Sequence, residues 1–194
     1  MEVMELSKRW KERADEILAT TKLTESISNL GKVVFTGSYE LDLMMSGDID
    51  LYLLSNENPK ELAPKVIARL LKSDFWNYYT IHDWLHFEDP RFPRSYYIGL
   101  NRKDDNGEAW KVDIWLFNEL PKEITDYFRW LKASLTQESR ARILGLKQDV
   151  KQSSTDISST RIYDAVINHG VATIEELKSH IRNNPTWDSG NLRK

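Results

Sequence analysis

The sequence predicts an α+β fold: a small mixed or antiparallel sheet flanked by helices, followed by a helical C-terminal part. Three observations predict it. Short apolar runs with period-two alternation recur between residues 33 and 117. Apolar residues at spacings of three and four precede and interrupt those runs. After Pro121 only helical spacing remains. The expected division is therefore a core with an N-terminal helix over residues 1–120 and a helical region over residues 121–194.

Val3, Leu6, Trp10, Ala14 and Ile17 make one amphipathic helix with a Lys- and Glu-rich polar face. Val33, Val34 and Phe35 form a short strand that ends in Thr36-Gly37-Ser38, and Leu51 to Leu54 form a second, opened by Asp48-Ile49-Asp50. Asn58-Pro59 marks a helix start, with Leu62, Val66, Ile67, Leu70 and Leu71 as its apolar stripe and Pro64 near its first turn. Trp76, Tyr78 and Ile81 alternate as in a strand. Tyr96–Arg102 and Trp110–Phe117 are strands whose connection holds Asn106-Gly107, a strong hairpin signal. Pro121 introduces a long helix through Ile124, Phe128, Leu131 and Leu135, reaching towards Ile143 and Leu146, with Gly145 as a place to end or bend. The Ser-rich stretch 151–159 reads as a linker. Ile162, Ala165 and Val166 lie on a short helix, Asn168-His169-Gly170 on a turn, and Thr173 with Glu176 forms a capping box for a last helix. The residues after Asn183 are expected to fray.

Composition narrows the function. The 194 residues carry 27 basic and 30 acidic side chains, a net charge of −3, which gives no overall basic excess for a large nucleic-acid surface. The absence of cysteine excludes disulfides, thiolate metal sites and cysteine nucleophiles. The charged, helical start is unlike a signal peptide, and no apolar run has the length needed to span a bilayer. A soluble, cytoplasmic protein with no membrane partner is expected.

The chemistry concentrates in three aspartates. Asp48 and Asp50 point to the same side of their strand because side chains alternate, while Ile49 faces the body of the sheet. Asp113 lies between Val112 and Ile114 in an otherwise apolar strand, sharing a side with Lys111 and Trp115. A carboxylate there is costly unless it is paired or holds a metal. Gly37 lets backbone approach a phosphate, Ser38 adds a hydroxyl, and the amides that follow can form an anion nest. Each feature has a plainer reading: Asp48 and Asp50 as a solvated strand start, and Asp113 as a core acid paired with an arginine.

Gly37-Ser38, nine residues, then Asp48-Ile49-Asp50, with Asp113 in Lys-Val-Asp-Ile-Trp downstream, resembles the signature of the nucleotidyltransferase superfamily with the DNA polymerase β-like fold, in its minimal or antibiotic-type form. The resemblance covers roughly residues 30–117, with the helices after Pro121 where members carry a helical substrate domain. It implies that Asp48, Asp50 and Asp113 ligate two Mg²⁺ (or Mn²⁺) ions. Asp113 would also help activate an acceptor hydroxyl, and Gly37 and Ser38 would hold the β- and γ-phosphates of a nucleoside triphosphate. A nucleoside monophosphate would move to the acceptor with release of pyrophosphate. Many small members place an Arg soon after the Gly-Ser; here Tyr39, Glu40 and Asp42 follow, so compensating charge must come from Lys111, Arg102 or Lys103. The charge balance favours a small-molecule or protein acceptor over RNA.

Other readings stand beside this one. A catalytically silent relative would bind nucleotide or a protein partner. His82 and His86, in His-Asp-Trp-Leu-His, have helical zinc spacing and allow a metal-dependent hydrolase, although surface or packing histidines are the simpler account. Trp76, Tyr78, Tyr79, Trp84 and Phe87 suit either base stacking or core packing. Residues 160–183 resemble half of a helix-turn-helix domain without a clear recognition helix.

Overall fold

Five strands and eight helices form among the residues that the computed structural model describes, namely 2–87, 92–103 and 107–185. The chain divides into two compact units, Arg9–Leu120 and Met1–Lys8 with Pro121–Lys194, the first boundary falling within helix α1 (Val3–Thr21).

In the unit Arg9–Leu120, β-branched and aromatic residues set the sheet. Its strands are β1 (Lys32–Thr36), β2 (Gly47–Leu54), β3 (Tyr78–Asp83), β4 (Tyr96–Lys103) and β5 (Ala109–Phe117), in spatial order β1-β2-β5-β4-β3. The sheet is mixed, since β2 and β5 run parallel while the other three pairings are antiparallel. Antiparallel β4 and β5 agree with the expected hairpin; the turn residues 104–106, and with them Asn106, lie outside the described residues.

Alternation gives the sheet two unlike faces. Ile49, Leu51 and Leu53 of β2, Val112, Ile114 and Leu116 of β5, and Ile98 and Leu100 of β4 are buried in one apolar core. Ala14 and Leu18 of α1, Leu23 and Ile27 of α2 (Leu23–Ile27), and Leu62, Val66 and Leu70 of α4 (Pro59–Leu70) join them. Burying each such aliphatic side chain is worth roughly 1.5–3 kcal/mol. The alternate residues Asp48, Asp50, Tyr52, Lys111, Asp113 and Trp115 are half-buried on the opposite face. Asn58 caps α4 by accepting from the Lys60 amide, and Pro64 lies inside that helix. Leu71, expected on its apolar stripe, follows the helix and is exposed. Tyr78 and Ile81 are exposed on β3, an edge strand; Trp76, just before it, is buried.

The second unit is helical beyond residue 121. The long helix expected there is two: α5 (Lys122–Ser134) and α6 (Gln137–Gln152). Leu135 turns extended, and Thr136 starts a new helix by accepting from the Ser139 amide while the Ser139 hydroxyl takes the Thr136 N–H. The break belongs to this capping box, and Gly145 sits within α6. Helices α7 (Ser159–His169) and α8 (Ile174–Asn183) follow; Asn168 and His169 complete the last turn of α7, which stops at Gly170 with φ of 65°. The Thr173–Glu176 capping box forms as expected. Frayed residues expected after Asn183 fall outside the described part from 186 onwards. No helix among the described residues is long and apolar enough to cross a membrane.

Removing the side chain that separates α5 from α6, by Thr136→Ala, is expected to cost about 1 kcal/mol. Urea unfolding checks this as a lower midpoint at unchanged slope.

Candidate active site

Strand register brings the three aspartates together. In the β2–β5 pairing Asp50 lies across from Asp113 and Asp48 across from Lys111, so all four side chains emerge from the polar face of two adjacent strands. One carboxylate oxygen from each of Asp48, Asp50 and Asp113 lies within 4.8 Å of the others. Three hard oxygen donors at that separation fit Mg²⁺ or Mn²⁺, which take carboxylates together with substrate phosphates and water.

Gly37 opens the short helix α3 (Gly37–Glu40) directly against this cluster. Its φ of +64° favours glycine, and a Cβ there would stand 2.1 Å from Asp50 Oδ2. The turn therefore touches the carboxylate as closely as backbone can, and Ser38 follows it, half-buried. Helix α1 braces the turn. The Lys11 ammonium donates to the Tyr39 carbonyl at 2.8 Å and sits 3.3 Å over the Tyr39 ring, while the Tyr39 hydroxyl donates to Asp15 Oδ1 at 2.6 Å.

Asp113 is largely buried, with its side chain only 13% exposed. Tyr97 on β4 donates to Asp113 Oδ1 at 2.6 Å, and Lys111 Nζ stands 2.6 Å from Oδ2. Tyr97 reaches its partner by crossing Gly99, which lies opposite Asp113; a Cβ on Gly99 would meet the Tyr97 and Thr80 hydroxyls at 2.5 Å. Burial, then the hydrogen bond to Asp113 and its charge, raise the Tyr97 phenol above its ordinary value, against the opposing bond from Thr80. Burial alone would lower the Lys111 ammonium, but the charges of Asp113, Asp48 and Asp50 outweigh it and hold it above its usual range.

An aromatic ladder extends from this corner. Tyr97 and Trp115 lie 5.0 Å apart, Trp115 and Phe92 6.2 Å, Phe92 and Trp84 4.6 Å, and His82 stacks on Trp84 at 5.1 Å. His82 thus packs among rings, whereas His86 pairs with Asp83 at 2.8 Å. The two do not share a metal cluster among the described residues, and the segment is strand and turn in place of the helix that zinc spacing needs. A separate cavity of about 620 Å³ is lined by Lys22, Arg69, Lys72, Arg102, Phe75 and Trp76, among others, and by none of the three aspartates.

No protein-family model and no curated protein matches the sequence. Solved structures do. The chain is similar to Cid1, described as having RNA terminal uridylyl transferase activity, with TM-score 0.57 and 20% identity over 84% of this chain and 48% of that one. It is likewise similar to the Cid1 poly(U) polymerase with MgGTP bound, with TM-score 0.56 and 19% identity over 84% and 55%. The chain has a nucleotidyltransferase fold. It spans about half the length of these two solved chains.

On this sheet, Lys111 is a cation that stands beside the carboxylates. Arg102 is not: it donates to the Phe75 carbonyl at 2.8 Å, because its place opposite Trp110 puts it on the other face. Lys103 shares the carboxylate face but lies beyond Lys111, paired with Ala109 and exposed. Sequence reading missed Tyr97, Gly99 and Thr80. Their only signal was parity along β4 and β3, readable once the register to Asp113 is known.

Tyr97 keeps its proton beyond the ordinary phenol value of 10.0. Its contribution to stability is whole below that pH and is lost as pH rises through the folded value. Followed by phenolate absorbance, the parent and Tyr97→Phe are expected to release the same number of phenolic protons between about pH 9 and 11. One extra proton from the parent would place Tyr97 at an ordinary value.

Proposed function

We propose that this chain transfers a nucleoside monophosphate from a nucleoside triphosphate to an acceptor hydroxyl, with release of pyrophosphate. The observation that carries the reading is the meeting of Asp48, Asp50 and Asp113 within 4.8 Å beside the Gly37 turn. Asp48 and Asp50 would hold both Mg²⁺ (or Mn²⁺) ions, and Asp113 would hold the one nearer the acceptor. Such ions, when bound, stabilise the attacking and leaving oxygens of an in-line displacement at phosphorus.

The chain's own groups supply the rest. Asp113 takes up the acceptor hydroxyl's proton or orients that hydroxyl, with Tyr97 fixing its carboxylate by one oxygen. Gly37 and Ser38 present backbone and a hydroxyl to the phosphates. Lys111, on a flexible four-carbon stem and 42% exposed, exchanges its contact with Asp113 for a triphosphate oxygen. The ladder from Tyr97 to Trp84 offers faces on which a base can stack. The activity attributed to Cid1 makes an RNA terminal hydroxyl the first acceptor to test, ahead of small-molecule and protein hydroxyls.

A second reading, a catalytically silent protein that binds nucleotide or a partner, is favoured by the Lys111–Asp113 ion pair, which occupies one carboxylate with a charge of the chain's own. Incubation with α-labelled triphosphates, Mg²⁺ and a mixed set of RNA, small-molecule and protein acceptors separates the two. Label transfer that Asp50→Asn abolishes is the expected result. Absence of transfer with every acceptor and base, together with retained triphosphate binding, would favour the silent reading.

Lys111→Ala is expected to raise the KM for the triphosphate by roughly ten-fold or more, the loss of one charge-assisted contact, and to change kcat less. A triphosphate KM unchanged by the substitution would make Lys111 a structural counter-ion only.

A further inference from the structure

The geometry points to a second metal site in the C-terminal helical unit, a transition-metal site made by Asp164 and His169 of α7 and His180 of α8. Each offers a ligand atom within 4.8 Å of the others. Both imidazoles turn the same nitrogen, Nε2, towards one oxygen, Asp164 Oδ2, at 3.7 Å for His169 and 3.8 Å for His180. Those separations exceed a hydrogen bond. They approach the edge of a tetrahedral zinc site, which is about 3.3–3.5 Å for metal–ligand bonds of about 2.0–2.2 Å.

The surroundings are arranged for this. The Asn168 amide donates to Asp164 Oδ1 at 2.8 Å, which leaves Oδ2 to face the imidazoles. An outer-sphere amide holding a carboxylate in this way is a usual support for a metal ligand. Asp164 and His180 are largely buried, with 13% and 16% of their side chains exposed, while His169 closes the cluster from the solvent side at 52%. The two rings lie 4.5 Å apart and tilted by 42°. Two imidazolium ions at that distance would repel, whereas two neutral imidazoles converging on a cation are favourable. The Tyr127 hydroxyl of α5 is buried, has no hydrogen-bond partner among the described residues, and feels the Asp164 charge.

Two nitrogens and one oxygen suit Zn²⁺ and its neighbours Co²⁺ and Ni²⁺, and suit Mg²⁺ poorly. The three aspartates of the β2–β5 face have the opposite preference, so the two sites sort metals by hardness. The metal would tie α7 to α8, which Arg161 Nη2, in the first turn of α7, already joins by bonding the Ile181 and Asn184 carbonyls at 3.3 and 2.7 Å. The proposal does not depend on nucleotidyl transfer.

The test uses the whole chain, stripped by chelator and titrated calorimetrically with Zn²⁺ in excess Mg²⁺. One Zn²⁺ per chain is expected, with Kd at or below about a micromolar. His169→Gln and His180→Gln should each weaken it ten-fold or more, and Asn168→Ala by about ten-fold. His82→Gln should leave it unchanged. Co²⁺ should give visible d–d bands that both histidine variants lose. If His180→Gln fails to fold, His169→Gln, changed at the half-exposed ring, still decides. Equal Zn²⁺ affinity and stoichiometry in the parent and His169→Gln, or the same Co²⁺ spectrum in both, would overturn the site.

Discussion

Asp50 and Asp113 face each other across neighbouring parallel strands, and the organisation of the carboxylate face follows from that pairing. Two like charges 4 Å apart at an effective dielectric of 20 oppose each other by about 4 kcal/mol. One neutral hydrogen bond returns about 1 kcal/mol. Hydrogen bonding alone therefore cannot hold the pair, and Asp48 on the same face adds a third charge. Positive charge must be supplied, by Lys111 or by a divalent ion, and the Lys111 ammonium rises in response to all three carboxylates. A cation beside the cluster offsets this repulsion.

The neighbouring residues serve the same constraint. Gly37 and Gly99 each leave out a side chain where one would strike a partner of the cluster, Asp50 in the first case and the Tyr97 hydroxyl in the second. Tyr97 donates a hydrogen bond to Asp113, and the Thr80 hydroxyl lies beside Gly99 with that of Tyr97. The opposite face is filled by Ile49, Leu51, Val112 and Ile114, which anchor the two strands in the core. A rigid apolar side and a repelling acidic side come from the same alternation of residues.

The proposed zinc cluster follows a different logic. Its residues come from helices α7 and α8, and imidazole replaces two of the carboxylates. A cation offsets like-charge repulsion on the acidic face, whereas on the helical cluster it would join two imidazoles and one carboxylate.

Much of the sheet was legible in the residues. Alternation placed Asp48 and Asp50 together with Ile49 opposed, and Asp113 beside Lys111 and Trp115, because period two is a property of the strand backbone and needs no partner. The capping box at Thr173 was legible for the same local reason. Its counterpart at Thr136 went unread, because the residue at the third position is Ser139 and the apolar spacing runs on past the break. Tyr97, Gly99 and Thr80, the exclusion of Arg102, and the meeting of Asp164, His169 and His180 depended on register and helix packing. These are set by which strands and helices become neighbours, through contacts distant in sequence, so local order determined the side each residue faces and only the tertiary structure decided what it meets there.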